Sequence, residues 1–123
     1  MADNTIKREE LEKLIKEVVE KNKSYSRDQV EFTPYCKRKM TDRGIKEGLV
    51  LDILHGSKVP YFVEIQRVPH KKEIETRHKL IYKISNKYSL IVVIIYYESI
   101  LNVINVIRTS KSAEKLWRKK ILE

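Results

Sequence analysis

A single cysteine, Cys36, leaves the 123-residue chain without an internal disulfide. No apolar N-terminal run reads as a signal peptide and no stretch is long enough for a membrane span, so a cytoplasmic protein with no membrane association is expected. Internal repeats and low-complexity tracts are absent, and four residues proposed as a metal set, His70, Glu73, Glu75 and His78, match no known ligand spacing. No metal or cofactor is expected. Glycine is scarce, at three residues beside many Lys, Glu and Ile, a composition that suits a thermophile. What is present, 41% hydrophobic residues with ten aromatics, is enough for one folded domain of this length.

The formal net charge of +9 is unevenly spread. Residues 1–31 carry seven Lys or Arg against eight Asp or Glu, whereas residues 32–123 carry nineteen against nine. The excess in the second part draws in a phosphate polymer or an acidic protein.

The segment DNTIKREELEKLIKEVVEKNK places Ile6, Leu11, Leu14, Ile15, Val18 and Val19 on one stripe, an amphipathic helix with capping residues at its start. NKSYSRDQ reads as a linker, so residues 1–29 form a helix and linker ahead of a domain over 30–123. VEFT is a short strand. Thr33 caps a helix with Pro34 in its first turn, ended near Arg43 by Gly44, and a second helix bears Ile45, Leu49, Val50, Ile53 and Leu54 up to Gly56. From Val59 the period becomes two, giving strands around 61–66 and 79–84. Asn86 takes positive φ in the following turn. YSLIVVIIYY has no alternation and reads as a central strand covered on both faces, by the first helix, the last helix or a second copy of the chain. LNVINVIR is the last strand, and a helix begun by Ser110 or Ser112 closes the chain, with Ala113, Leu116, Trp117 and Ile121 as its packing face. The layout is α+β: helix, short strand, helical hairpin, four-stranded antiparallel meander, C-terminal helix.

YCKRKMTDRGI, followed by an apolar helix, a glycine and a meander ending in a valine-rich strand, resembles a small domain of unknown function (family four-two-five-eight) grouped with the RelE/ParE-type toxins. Lys39-Met40 and Arg43-Gly44-Ile45 match its pattern, with Lys in place of an Arg and Tyr35 where a His is expected. The resemblance covers about residues 30–109 and implies a RelE-like fold, with RNA gripped on an open sheet face and, in the toxins, cut there by Arg, Lys, Tyr, His or Glu. Cleavage through the 2′-hydroxyl needs a base, an acid and positive charge for the phosphate.

RVPHKKEIETRHK, residues 67–79, holds seven Lys, Arg or His in thirteen positions and no regular period. It reads as a mobile loop whose margins meet ordered strands. Residues at a rigid margin can be positioned for chemistry, which singles out Arg77 for the phosphate and His78 as acid or base, with Arg108 at the end of the last strand as a third candidate. His70 and His78 flank the loop, and a hairpin brings them near each other. Candidate RNA contacts are Arg67, Lys71, Lys72, Lys79 and Lys83, with Lys115, Arg118 and Lys119 on the last helix. The functional expectation is a basic RNA-binding domain, with a metal-independent RelE-type endoribonuclease toxin as its catalytic form. Its partners would be RNA, free or on the ribosome, an acidic antitoxin-like protein and a second copy in a homodimer. The alternative is a non-catalytic interaction protein of the same fold holding a protein or nucleic-acid partner.

Overall fold

The computed structural model describes residues 5–122, without the side chains of 111–113. The expected capping residues Asp3 and Asn4, and the side chains of Lys111, Ser112 and Ala113, lie outside that description. The chain forms β1 (Ile6–Lys7), α1 (Arg8–Lys23), a 3-10 turn (Arg27–Gln29), β2 (Val30–Phe32), α2 (Pro34–Arg43), α3 (Glu47–Asp52) running into a π-helical turn (Ile53–Ser57), β3 (Phe62–His70), β4 (Glu73–Lys83), β5 (Tyr88–Tyr96), β6 (Leu101–Ser110), α4 (Lys111–Arg118) and β7 (Ile121–Leu122). This is a mixed α+β fold.

The meander is present, but the sheet has five strands in the order β2-β6-β5-β4-β3, because β2 joins it parallel to β6. A separate two-stranded sheet, β1 with β7, ties the start of the described chain to its end, which no period in two-residue strands could foretell.

β5 is the hub. Leu90, Val92 and Ile94 enter a core made with Tyr82, Leu80 and Val106 of the sheet and Met40, Val50, Ile53 and Leu54 of the helices. Ile91 and Val93 enter a second core on the opposite face, with Phe62, Ile81 and Leu11, against which Trp117, Ile6 and Ile121 pack. The unbroken apolar run is thus two interleaved apolar faces, each covered from within the chain. Trp117 of α4 sits on Phe62 with ring centroids 5.0 Å apart.

The turn chemistry of α2 follows the residues closely. The Thr33 hydroxyl accepts from the Cys36 N–H at 3.1 Å, Pro34 occupies the first turn, and Gly44 stops the helix at φ 68°, its N–H directed to the Met40 and Thr41 carbonyls. Met40 and Ile45 are buried. Cys36 is buried too, and burial pushes its thiol up to about 11, so it stays protonated.

α1 crosses the outer edge of β3: Leu11 belongs to the second core, Val18 to the first, and Ile15 packs against both. Its expected solvent-facing charges, Glu9, Glu12, Lys13, Lys16, Glu17 and Lys21, are exposed. The stretch read as a linker is more ordered than its polarity suggests. Ser26 and Gln29 form a reciprocal capping box, and Tyr25 is buried, its hydroxyl donating to the Tyr97 carbonyl at 2.6 Å.

Residues 67–79 correct the expectation of a mobile loop. They are the distal half of a hairpin paired from Phe62↔Ile81 to His70↔Glu73, turned by Lys71 and Lys72 alone, with Lys71 at φ 58°. Lys71 is the non-glycine residue at positive φ among the described residues, and the expected Asn86 is not. β4 pairs with β5 only as far as His78↔Ile94, so the rest of the hairpin is a two-stranded ribbon. Both of its faces carry exposed positions, which leaves no selection for alternating hydrophobicity.

Pro69 fits because of ladder geometry. Ile84 donates to the Tyr88 carbonyl, and antiparallel residues alternate in where they direct their main-chain groups, so Tyr82, Leu80 and His78 face β5 while Ile81, Lys79 and Arg77 face β3. In β3 it is then Gln66, Val68 and His70 that bond inward, and Pro69 is turned to the outer edge, where a missing N–H costs no ladder bond.

Candidate nucleic-acid interface

Alternation along the strands also sorts the candidate site residues between the two faces of the sheet. Arg77 and His78 are neighbours in β4, so they project to opposite sides. His78 shares the face of Leu80 and Tyr82, half-buried under α1, its ring edge-on to Tyr96 at 4.9 Å. The expected pairing of Arg77 with His78 in one site is therefore corrected by the pleat. His70 is opposite Glu73 at the ribbon turn, on the other face from His78 and five residue pairs away from it, so these two histidines do not meet. Arg108 stacks on the Tyr88 ring at 5.0 Å and reaches the Gly44 carbonyl at 3.5 Å, on the face of Leu90, away from Arg77. Among the described residues no group of three or more His, Cys, Asp or Glu is placed to hold a metal ion.

The surroundings of His78 are a buried polar seam. Tyr96 donates to Asn22 Oδ1 at 2.6 Å, Lys21 lies over the Tyr96 ring at 4.4 Å, and the Tyr25 and Tyr96 rings stack. Burial, and secondarily the Lys21 charge, lower the His78 pKa below its ordinary 6.5. The unfolded chain then binds more protons than the folded one as the pH falls below 6.5, so the contribution of this site is present above that pH and is lost as the pH drops through the folded value. The melting temperature of the wild type should fall between pH 7.5 and 5 more steeply than that of His78→Phe. Parallel curves for the two proteins would refute the assignment.

The opposite face is built in rows. Phe62, Ile81, Ile91 and Ile107 form an apolar row partly covered by Trp117. The next row is Glu64, Lys79, Val93 and Asn105, and beyond it come Gln66 and Arg77. Between Val93 and Ile94 the register with β6 shifts, leaving Ile104 as the extra residue of a bulge, so that both Ile104 and Asn105 reach this face. The result is a cleft of about 510 Å³ lined by Gln66, Arg77, Lys79, Asn105, Thr33 and Tyr35 above a floor of Val93, Ile104 and Ile107.

Both cations of the cleft are anchored. The Arg77 guanidinium lies 2.7 Å from Glu75 Oε1, and Lys79 lies 3.9 Å from the buried Glu64 and 5.4 Å from the Trp117 ring. Lys120 also reaches Glu64, at 3.3 Å, and the same indole at 4.6 Å. One buried carboxylate thus holds Lys79 and the end of α4 to one place. The exposed Tyr35 ring has Arg38 and Lys39 near its face at 5.9 and 5.7 Å.

Of the residues expected to contact RNA, only Lys79 lines this cleft. Arg67 is exposed on the ribbon's other face, and Lys71 and Lys72 form its turn. Lys83 is drawn to Glu114 at 3.9 Å, and Arg118 bonds the same carboxylate. Lys115 on α4 and Lys119, which follows its last residue, are exposed. Sequence reasoning missed Gln66 and Asn105, although a signal for the second was present. Leu101, Val103 and Val106 are all inward, and the three-residue step from 103 to 106 is what an extra bulge residue produces.

No protein-family model, no curated protein and no solved structure matches the chain. The resemblance to the RelE-like domains accordingly rests on the Lys39-Met40 and Arg43-Gly44-Ile45 motif. Among the described residues no helix is long and apolar enough to cross a membrane.

Proposed function

We propose that this protein binds RNA in the cleft on the open half of the sheet. The observation that carries the reading is the composition of that cleft: two cations, Arg77 and Lys79, held by Glu75 and Glu64 beside an apolar floor and the exposed Tyr35. Cations grip phosphates, and a flat apolar or aromatic surface accepts a base, a combination that suits single-stranded nucleic acid. The charge excess after residue 31 supplies attraction over longer range.

Binding is better supported than cleavage. Arg77 could neutralise a phosphate, but the three described histidines, His55, His70 and His78, are not among the residues that line the cleft. An endoribonuclease of the RelE type would have to draw its proton transfers here from Tyr35 of the lining or from Glu75, which borders the cleft through its bond to Arg77. The affinity of the whole protein for a fluorescein-labelled RNA hexamer should fall steeply between 50 and 200 mM salt, with a log-log slope of about −0.7 per phosphate contact. An affinity that does not change with salt removes this reading.

A further inference from the structure

We propose that Gln66 and Asn105 are the specificity-determining pair of the cleft, together reading one unpaired base that carries an exocyclic amine. This rests on the RNA-binding reading and deepens it.

Two amides at the cleft have their orientations dictated by charged neighbours. Asn105 Oδ1 lies 3.2 Å from Nη1 of Arg43, which also donates to the Val106 carbonyl at 2.7 Å. A guanidinium only donates, so the oxygen of Asn105 is committed and its Nδ2 is left as a donor for the cleft. Gln66 is the mirror case. Its Nε2 donates to Glu64 Oε1 at 3.3 Å, and a carboxylate only accepts, so Gln66 presents Oε1 as an acceptor. The cleft therefore has a donor on its β6 side and an acceptor on its β3 side, with Val93, Ile104 and Ile107 between them.

β3 and β6 are separated by three strand spacings, about 14 Å, from which both side chains reach inward. A base on the floor would then meet Gln66 at one edge and Asn105 at the other. Its edge toward Gln66 has to donate and its edge toward Asn105 has to accept. Cytosine does so with its N4 amine and O2, which diverge from the two ends of its Watson–Crick edge on either side of N3, and adenine and guanine also carry an exocyclic amine. Uracil offers carbonyl oxygens at both ends, so one of them would face the Gln66 oxygen, and two acceptors cannot bond each other. Cytidine and uridine differ at that one exocyclic position, which makes them the cleanest pair of probes.

The test is fluorescence anisotropy with labelled hexacytidylate and hexauridylate on the full chain. The wild type should prefer cytidine about five-fold, the order expected of one neutral hydrogen bond gained or lost. In Gln66→Met that preference should collapse, and in Asn105→Ala both hexamers should weaken alike, with the salt slope unchanged in each variant, since neither substitution removes a phosphate contact. Salt-dependent binding of both hexamers with equal affinity overturns the inference and leaves the RNA-binding reading intact, and so does a preference that survives Gln66→Met or an Asn105→Ala variant that binds both hexamers as tightly as the wild type. Failure of both hexamers to bind at low salt defeats the RNA-binding reading, and this inference with it.

Discussion

Removing residues 1–22 should abolish cooperative unfolding. Among the described residues α1 is the one helix that contributes to both cores, with Leu11 buried in one and Val18 in the other, and it bars the outer edge of β3. Burial of an aliphatic side chain stabilises by about 1.5–3 kcal/mol, so losing Leu11, Val18 and the half-buried Leu14 and Ile15 costs on the order of 5–10 kcal/mol. A small domain has about 5–15 kcal/mol in total. The loss is compounded at Asn22, whose Oδ1 takes the hydroxyl of the buried-side Tyr96 and whose removal leaves that donor without its partner. Exposure of the β3 edge would add self-association. Urea unfolding with sedimentation velocity distinguishes the outcomes. A truncated chain that unfolds at the wild-type midpoint and stays monomeric would show that α1 covers nothing of consequence.

Much of the fold was legible because local chemistry and tertiary need coincide. Thr33, Pro34 and Gly44 are demanded by the ends of α2 whatever packs on it, and the ten-residue run YSLIVVIIYY could only be a strand buried on both sides. Legibility failed where those constraints separate. The ribbon from Arg67 to Arg77 has no buried face to impose alternation, so its strands look like loop, and Lys71 holds a positive φ that sequence preference would assign to Asn or Gly. β1 pairs with β7, 115 residues further along the chain, and β2 with β6, 71 residues further along, and elements of two or three residues carry no period from which such partners could be read. The site was legible in composition and illegible in arrangement. Arg77 and His78 are adjacent in sequence and separated by the sheet itself, while Gln66 and Asn105 are distant in sequence and joined by it. Only the register of four strands brings the second pair together.

The second large effect concerns Arg77 and Lys79. Neutralising both as Arg77→Gln with Lys79→Gln keeps the side chains polar and leaves Glu64 its contact with Lys120, so the fold should survive. Each phosphate contact to a single strand contributes about 0.7 to the log-log salt slope, which at 0.1 M salt is about five-fold in affinity, so the pair should cost about twenty-five-fold. Neutralising Lys71 and Lys72 at the ribbon turn removes the same formal charge from a place outside the cleft. The most direct test of the central claim is therefore a comparison of RNA affinity and salt slope for the wild type and these two double variants, with melting curves confirming that all three are folded. RNA bound in the cleft predicts a loss of about twenty-five-fold and a slope shallower by about 1.4 for Arg77 with Lys79, against a few-fold loss for Lys71 with Lys72. The reverse order, with the ribbon turn carrying the larger loss, would contradict it.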